Sequence, residues 1–444
     1  MAADILSFEV GSIVYLPLPD EVEGFGLDTP VAQSRLVGHR ISFVGWAVGR
    51  FPYTVESLNL MDGQRLVKCV PVNVPRSDLA ALCGQGWEVE GRPGFHSFIG
   101  GLGLRRAVEL DIVLNLHDSR DGSWRQVKVA TVCGRTRNHL QVDSKYQPLM
   151  LTAIARSGTT LAMQIFGEHR GILTSNFYPY EVKQSAYWGH VLKVLVDPAD
   201  FDGSSHPDDF EKNIGFVGHN PYCHEETLRQ LKGRRNFHEH YNNHLPLELA
   251  KFAVARINEF YELIAKGERK TNATYFAEKF LPTHLQPIFH DIFRSPKEIV
   301  LTRDFRDVIC SAQSFNQKRN SQSFGRGEAT NDLEWITGFS SGVRSVAEAW
   351  LDRGHSALHV RYEDLVLQPE AQIRRVFDYL EVEASDVLIS LIRRKIFESS
   401  QALHHMTASS PEKSVGRWQR DMPDELLEHC HEHFGQELKL FGYQ

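Results

Sequence analysis

Hydrophobic and polar positions follow two different periods along this chain. Up to about residue 145 they alternate. The stretches "HRISFVGWAV", "TVESLNLMDGQRLVKCVPV" and "VELDIVLNLHDSRDGSWRQVKVATV" are short, rich in β-branched residues and often switch between apolar and polar from one residue to the next. That is the pattern of half-buried antiparallel strands. Asp62-Gly63 and Asp121-Gly122 lie between apolar runs, and Asp-Gly favours tight hairpin turns because both residues tolerate positive φ. Strands at this spacing predict a small all-β sandwich over residues 1–145. Trp46, Trp87 and Trp124 either form a sugar-binding face or fill the core. Large aromatics mostly pack inside, so core filling is the expectation.

From about Gln147 the period changes. Apolar runs alternate with helical patterns: "PLMLTAIA" then "TTLAMQIFGEH", "KEIVLTRD" then "VICSAQSFNQ", and "ALHVRYEDL" then "PEAQIRRVFDYL". In the last, Ile373, Val376, Phe377 and Leu380 recur at helical spacing behind Pro369, a residue suited to a first helical turn. Strand–helix alternation predicts an α/β domain over 146–444, a P-loop-like parallel sheet covered by helices. In such sheets ligands bind beyond the carboxyl ends of the strands. A polar, largely helical stretch at about 225–275, containing "ELAKFAVARINEFYELIAKG", reads as an insertion. "NQKRNSQSFGRGEATNDLEWITG" reads as a mobile loop near the site.

Composition sharpens this picture. A chain of 444 residues exceeds one ordinary core, so at least two domains are expected. Hydrophobic residues at 42% and charged residues at 24% are ordinary for a globular protein. A formal net charge of −7 supplies no overall basic field for nucleic acid. No stretch approaches the ~18 consecutive apolar residues of a membrane span, and "MAADILSFEVGSIVYLPLPD" lacks the basic and apolar regions of a signal peptide. Cys69, Cys83, Cys133, Cys223, Cys310 and Cys430 form no CxxC pair. They predict reduced thiols in a cytoplasmic protein rather than a cysteine zinc site or a disulfide framework.

The candidate chemistry begins at "LTAIARSGTTLAMQIF", Leu151 to Phe166. A buried strand runs directly into Arg156-Ser157-Gly158-Thr159-Thr160 and then into an amphipathic helix. Glycine lets backbone approach an anion closely. The N–H groups and hydroxyls of a helix start point at whatever lies there, and arginine adds a fork suited to bidentate oxyanion contact. A second stretch, "IVLTRDFRDVICSAQSF", puts Arg303 at a predicted strand tip and Ser311 in the following helix. Taken alone, its Asp304, Arg306 and Asp307 could equally be surface ion pairs.

Together, "ARSGTT" followed downstream by Arg303 and Ser311 resembles the sulfotransferase superfamily that uses 3′-phosphoadenosine 5′-phosphosulfate (PAPS). Further matches follow in family order: "YFAEKF" at Tyr275 to Phe280, "VRYEDLVLQPE" at Val360 to Glu370, and "SVGRWQRDM" at Ser414 to Met422. The resemblance implies that Arg156, Ser157, Gly158, Thr159 and Thr160 hold the 5′-phosphosulfate, that Arg303 and Ser311 hold the 3′-phosphate, and that no metal is needed. Arginine in the first loop is closer to the tyrosylprotein and bacterial branches, which place a glutamate base downstream of the loop. Glu181 in "NFYPYEVK" stands in that place. Its other reading is a salt bridge to Lys183. Lys279 matches the family's catalytic lysine, its other reading being an ion pair with Glu278 at a helix end. His219, His404 and His405 are alternative bases. Tyr362 matches a nucleotide contact or is a core aromatic. "TASSPEKSVGRW" offers Ser409, Ser410, Lys413, Ser414, Arg417 and Trp418 for a loop closing over the nucleotide, with Trp418 against the adenine.

The resemblance therefore implies an enzyme moving a sulfuryl group from PAPS to a hydroxyl of a carbohydrate, glycolipid or small metabolite. Its partner is a small-molecule or glycan acceptor, not nucleic acid. Two other readings stay open. A nucleotide-dependent kinase lacks support because "ARSGTT" has no Gly-Lys-Ser/Thr. A non-catalytic carbohydrate-binding scaffold with a degenerate α/β domain sits poorly with intact Arg156, Arg303 and Ser311.

Overall fold

A computed structural model of the chain describes residues 6–79, 91–138, 140–198, 240–320, 324–397 and 410–444. The N-terminal alternation becomes nine strands among the described residues: β1 (Leu6–Tyr15), β2 (Val22–Thr29), β3 (Arg35–Val37), β4 (Arg40–Gly49), β5 (Tyr53–Asp62), β6 (Arg65–Pro71), β7 (Gly94–Gly100), β8 (Ala107–Asp118) and β9 (Trp124–Asn138). They form a six-stranded sheet ordered β3-β1-β9-β8-β5-β6 and a three-stranded sheet β2-β4-β7, all antiparallel. Along β4 every second residue is buried. Ile41 and Phe43 of the small sheet share one core with Phe8, Leu58, Leu110 and Leu114 of the large one, which makes the pair a sandwich. Gly63 and Gly122 have φ of 61° and 73°, as hairpin turns require.

The tryptophans correct one expectation. Trp124 is 63% exposed and tilts against His117 at 5.1 Å, so it does not fill the core. It begins β9, at the rim of the sheet, where the inner face has run out. Trp46 is half-buried on β4, and Trp87 lies outside the described residues. Cys69, Cys133, Cys310 and Cys430 are free thiols; Cys83 and Cys223 also lie outside.

The second sheet comprises β10 (Gln147–Thr152), β11 (Ile172–Leu173), β12 (Tyr275–Phe280), β13 (Lys297–Thr302) and β14 (Leu358–Arg361). All pairings are parallel, in the order β11-β12-β10-β13-β14. Nearly every residue of β10, β12 and β13 is buried, because both faces are covered. After β10 the chain builds to one side, and with β13 it moves to the other. The C-terminal ends of the neighbours β10 and β13 are thus the topological switch point, where this architecture opens a crevice.

The helices among the described residues are α1 (Thr159–Glu168), α2 (Gln184–Val196), α3 (Leu245–Gly267), α4 (Leu285–Ile292), α5 (Phe305–Lys318), α6 (Asp332–Arg353), α7 (Tyr362–Leu367), α8 (Pro369–Leu380), α9 (Asp386–Phe397), α10 (Trp418–Asp421) and α11 (Asp424–Leu440). None is long and apolar enough to cross a membrane. Pro369 opens α8, whose Ile373, Val376, Phe377 and Leu380 are all buried with Leu149, Leu151, Ile299 and Leu301 on one face of the sheet. Val300, pointing the other way, joins Val308, Ile336, Val343 and Phe434. The expected insertion is represented by α3, and β12 begins at Tyr275; residues 199–239 lie outside the described set.

Packing divides the chain into two units. One is Met1–Val142 with Trp188–Val254 and Pro287–Ile292; the other is Asp143–Tyr187 with Ala255–Gln286 and Phe293–Gln444. The division is discontinuous in sequence, whereas the expected boundary at about 145 is a single point.

A buried polar chain supports the end of β13. The Thr302 hydroxyl lies 2.8 Å from His359 Nε2 and 3.0 Å from Tyr443 Oη, which donates to Glu363 at 3.0 Å. Burial, then Arg375 and Arg361, hold the His359 imidazole down at about 4. That is below the ordinary 6.5, so the unfolded chain takes up this proton first on acidification. The stability tied to neutral His359 is complete above pH 6.5 and is lost as pH falls toward 4, by up to about 3 kcal/mol. Urea unfolding of wild type and His359→Gln at several pH values in that window should show the smaller pH dependence in the variant. Parallel curves would assign the acid limb to other groups.

Candidate active site

The turn between β10 and α1 is bent by two left-handed residues, Arg156 with φ 68° and Gly158 with φ 91°. Gly158 caps α1, and no side chain caps the helix, so the first-turn N–H groups are left to a ligand or water. A Cβ on Gly158 would stand 2.3 Å from Cδ2 of Tyr362. The missing side chain is thus what lets the loop lie against that ring. Ser157 is buried and its hydroxyl has no hydrogen-bond partner among the described residues.

The loop lines a cavity of about 420 Å³ with Arg156, Gly158, Thr159 and Thr160; Glu181, Lys279, Arg303, Ser311, Tyr362 and Ser414 also line it. Cationic groups enter it from two sides. On one, Arg303 follows β13, only 4% exposed. It donates to the Arg156 carbonyl at 3.3 Å and to the Ser414 carbonyl at 2.6 Å, and its guanidinium lies 4.8 Å from the centre of the Tyr362 ring. Its Nε is buried with no hydrogen-bond partner among the described residues. Arg156 Nε donates to Ser311 Oγ at 3.2 Å, with its guanidinium 4.7 Å over Phe315. Burial, and then the charge of Arg303, push Arg156 down to about 10.

On the other side, Lys279 of β12 donates to Thr160 Oγ1 at 3.3 Å, to the Pro179 carbonyl at 2.6 Å and to Glu181 Oε1 at 2.9 Å. Burial lowers its pKa, and Glu181 opposes that shift. Glu181 also meets Lys183 at 3.4 Å. Lys279 is on a strand, not at a helix end, and its sequence neighbour Glu278 points to the opposite face. There Glu278 accepts from the Ser185 N–H at 2.8 Å, the Ser185 hydroxyl at 2.7 Å, the Ala186 N–H at 3.3 Å and the Tyr261 hydroxyl at 2.6 Å. One residue pair on β12 thus holds both ends of the 179–186 segment.

The C-terminal segment closes the Arg303 side. Tyr362 Oη meets Ser414 Oγ at 3.0 Å. Buried Asp307 accepts the Gly416 and Trp418 N–H groups at 2.7 and 2.8 Å. Arg417 bonds Ser314 and Asp421. Trp418 lies 3.7 Å from the Arg306 guanidinium and does not line the cavity, so its indole is engaged elsewhere. The Lys413 backbone N–H donates to the Ser410 hydroxyl at 3.4 Å, and neither residue lines the cavity. Ser409, His219, His404 and His405 lie outside the described residues. The apolar lining comes instead from Leu161, Phe315, Phe324, Ile396 and Phe397. Of the residues missed, Phe315 was legible, since it lies four residues after Ser311 and so on the same helix face. Glu278 and Asp307 had no signal beyond their neighbours, because their roles depend on distant backbone.

Substituting Gly158 tests the loop. Gly158→Ala meets both a strained φ and the Tyr362 ring. It should destabilise the protein by more than ~1 kcal/mol in urea unfolding, and it should weaken binding of an anionic nucleotide. A variant with wild-type values for both would show that the loop relaxes freely.

Three comparisons bear on identity. The model described as the sulfotransferase family matches residues 148–386. Among solved structures, the sulfotransferase domain of the Synechococcus PCC 7002 olefin synthase shares 17% identity, with 69% of this chain and 99% of that one covered and a TM-score of 0.38. The sulfotransferase domain of the curacin biosynthetic pathway shares 14%, covering 68% and 99%, with a TM-score of 0.39. Mouse sulfotransferase SULT7A1, complexed with PAP, shares 12%, covering 67% and 86%, with a TM-score of 0.35. No curated protein matches the chain. With the family model spanning more than half of its length, the chain belongs to the sulfotransferase family.

Proposed function

We propose that this protein transfers a sulfuryl group from PAPS to a hydroxyl of a small-molecule, glycolipid or glycan acceptor. The observation that carries the proposal is the meeting of two basic loops in one cavity, Arg156 after β10 and Arg303 after β13, opposite Lys279 and Glu181. The residues suit a bis-anionic nucleotide. Ser157 Oγ and Arg303 Nε are buried donors without partners among the described residues.

In this reading Arg303 and Ser311 hold the 3′-phosphate, and the 156–160 backbone holds the 5′ group. The base lies along Leu161, Ile396 and Phe397 rather than on Trp418. PAPS supplies the sulfuryl group and a phosphate leaving group. Lys279, next to Thr160, offsets charge on the transferring oxygens and the bridging oxygen. Arg156 can add to this by turning from Ser311 toward Thr160. Glu181, bonded to Lys279 in this structure, is freed when Lys279 turns to the anion, and it then accepts the acceptor's proton. The apolar lining beside Glu181, notably Tyr178 and Pro179, suits an acceptor with some apolar surface.

Melting curves with adenosine 3′,5′-bisphosphate and with ATP plus Mg²⁺ separate this reading from a kinase. At about 100 times its dissociation constant, the bisphosphate should add about 2.7 kcal/mol of stability, and ATP much less. The reverse order would overturn the proposal. Binding without turnover against a broad acceptor panel would point to a scaffold.

Arg303→Ala should weaken the bisphosphate by about 1.5–3 kcal/mol and slow saturated turnover far less, because the 3′-phosphate is remote from the bond broken. Equal affinity in wild type and variant would remove Arg303 from the nucleotide site. Glu181→Gln should keep nucleotide affinity and lose turnover by about 10²–10⁴-fold. A near-normal rate at saturating acceptor would make Glu181 structural.

A further inference from the structure

α11 carries two imidazoles and a carboxylate that the proposed reaction does not use. His429, Glu432 and His433 are spaced i, i+3 and i+4 on this helix and so share one face. One ligand atom of each lies within 4.8 Å of the other two. His429 Nδ1 stands 3.8 Å from Glu432 Oε2, and the two ring centres are 4.0 Å apart. None of the three lines the sulfuryl-transfer cavity.

The hydrogen bonds assign the tautomers. His429 Nε2 is 3.1 Å from the Leu333 carbonyl. A carbonyl only accepts, so this nitrogen carries the proton and Nδ1 keeps its lone pair on the Glu432 side. His433 Nδ1 is 3.1 Å from the His429 carbonyl, so it also donates, and Nε2 keeps a lone pair. The Thr337 hydroxyl donates to the Leu333 carbonyl at 3.1 Å and lies 3.0 Å from His429 Nε2 and 3.3 Å from His433 Nε2, so the His433 lone pair is not committed to it. A ring N–H tied to a carbonyl, with the other nitrogen left basic, is how metal-binding histidines are oriented. Helix-surface histidines packed on a threonine are the plainer account, but that account does not require both rings to be fixed by carbonyls.

We propose that His429, Glu432 and His433 bind one zinc-class divalent cation. Two neutral imidazoles and one carboxylate suit Zn²⁺ better than Mg²⁺ or Ca²⁺, which favour all-oxygen sets. Three protein ligands leave a fourth position to water. A tetrahedral zinc with bonds of about 2.0–2.1 Å sets its ligand atoms about 3.3 Å apart. Small rotations reach this from the present spacing, and Glu432, whose side chain is 76% exposed, is free to make them. Leu333 belongs to α6, so by fixing the His429 ring the bound cation reinforces an existing tie between α11 and α6. The tie lies just before Phe434, where α11 leaves helical geometry with φ −148° and ψ 26°. Beyond it Leu438, Phe441 and Tyr443 enter the core. The cation therefore acts on stability and is not required for nucleotide binding.

The full chain, stripped of metal by chelation, would be titrated with Co²⁺ and then Zn²⁺. Wild type should develop the visible absorption of tetrahedral Co²⁺, lose it on adding Zn²⁺, and melt at a higher temperature with Zn²⁺ than without. The double variant His429→Gln, His433→Gln should lack both responses while melting like metal-free wild type. If that variant does not fold, Glu432→Gln, an exposed change, carries the comparison and should bind more weakly than wild type. Absence of the cobalt signal in wild type, or equal affinity in wild type and variants, overturns the site.

Discussion

Two guanidinium groups held close together in a poorly solvated pocket are the constraint on which this site depends. Burial alone disfavours the charged form of Arg156, and Arg303 adds repulsion. Arginine does not escape by losing its proton, so the surrounding fold has to keep both groups in place. It does so with carbonyls, rings and hydroxyls: Ser414 O and Tyr362 for Arg303, Ser311 and Phe315 for Arg156. These contacts orient the two forks, and both residues line the cavity.

That arrangement rests in turn on the end of β13. Asp304 caps α5, and its own N–H is bound by Glu363 at 2.8 Å. Glu363 is held by Tyr443, two residues after Phe441 packs into the core. The last residues of the chain are therefore coupled to the strand tip that carries Arg303. Asp307, in the first turn of α5, gathers the 416–418 backbone and so positions Ser414 beside Tyr362. A second support lies across the cavity. Alternation along β12 sends Lys279 to the cavity side and Glu278 to the start of α2, so the loop with Glu181 is fastened at both ends.

Much of this was legible in the sequence because it is local. Strand alternation marked the sandwich, and continuous apolar runs followed by amphipathic helices marked the parallel sheet. Pro369 marked the start of α8. Arg-Ser-Gly-Thr-Thr at a strand end marked the bent turn into α1, since glycine at positive φ and open helix N–H groups are properties of a few adjacent residues. Arg303, Ser311, Lys279, Glu181, Tyr362 and Ser414 were found by their motifs, and all line one cavity with the loop. Trp418 and Trp124 were misread because side-chain chemistry says what a ring can do, whereas the neighbours decide what it does. Arg306 takes the first, and the sheet rim exposes the second.

The sequence by itself determined the two periods, the order of strands and helices, and the place of the glycine-bent 156–160 loop, because each depends on backbone preference and side-chain spacing within a few turns. Only the tertiary structure decided that the chain reverses direction across the sheet between β10 and β13, which makes two loops separated by some 150 residues neighbours. It also decided which charges are desolvated, which face of β12 lines the cavity, and that His429 and His433 have the Leu333 carbonyl and Thr337 of α6 against them. Those outcomes depend on contacts between distant segments, and a single sequence carries no local signal for which segment will arrive.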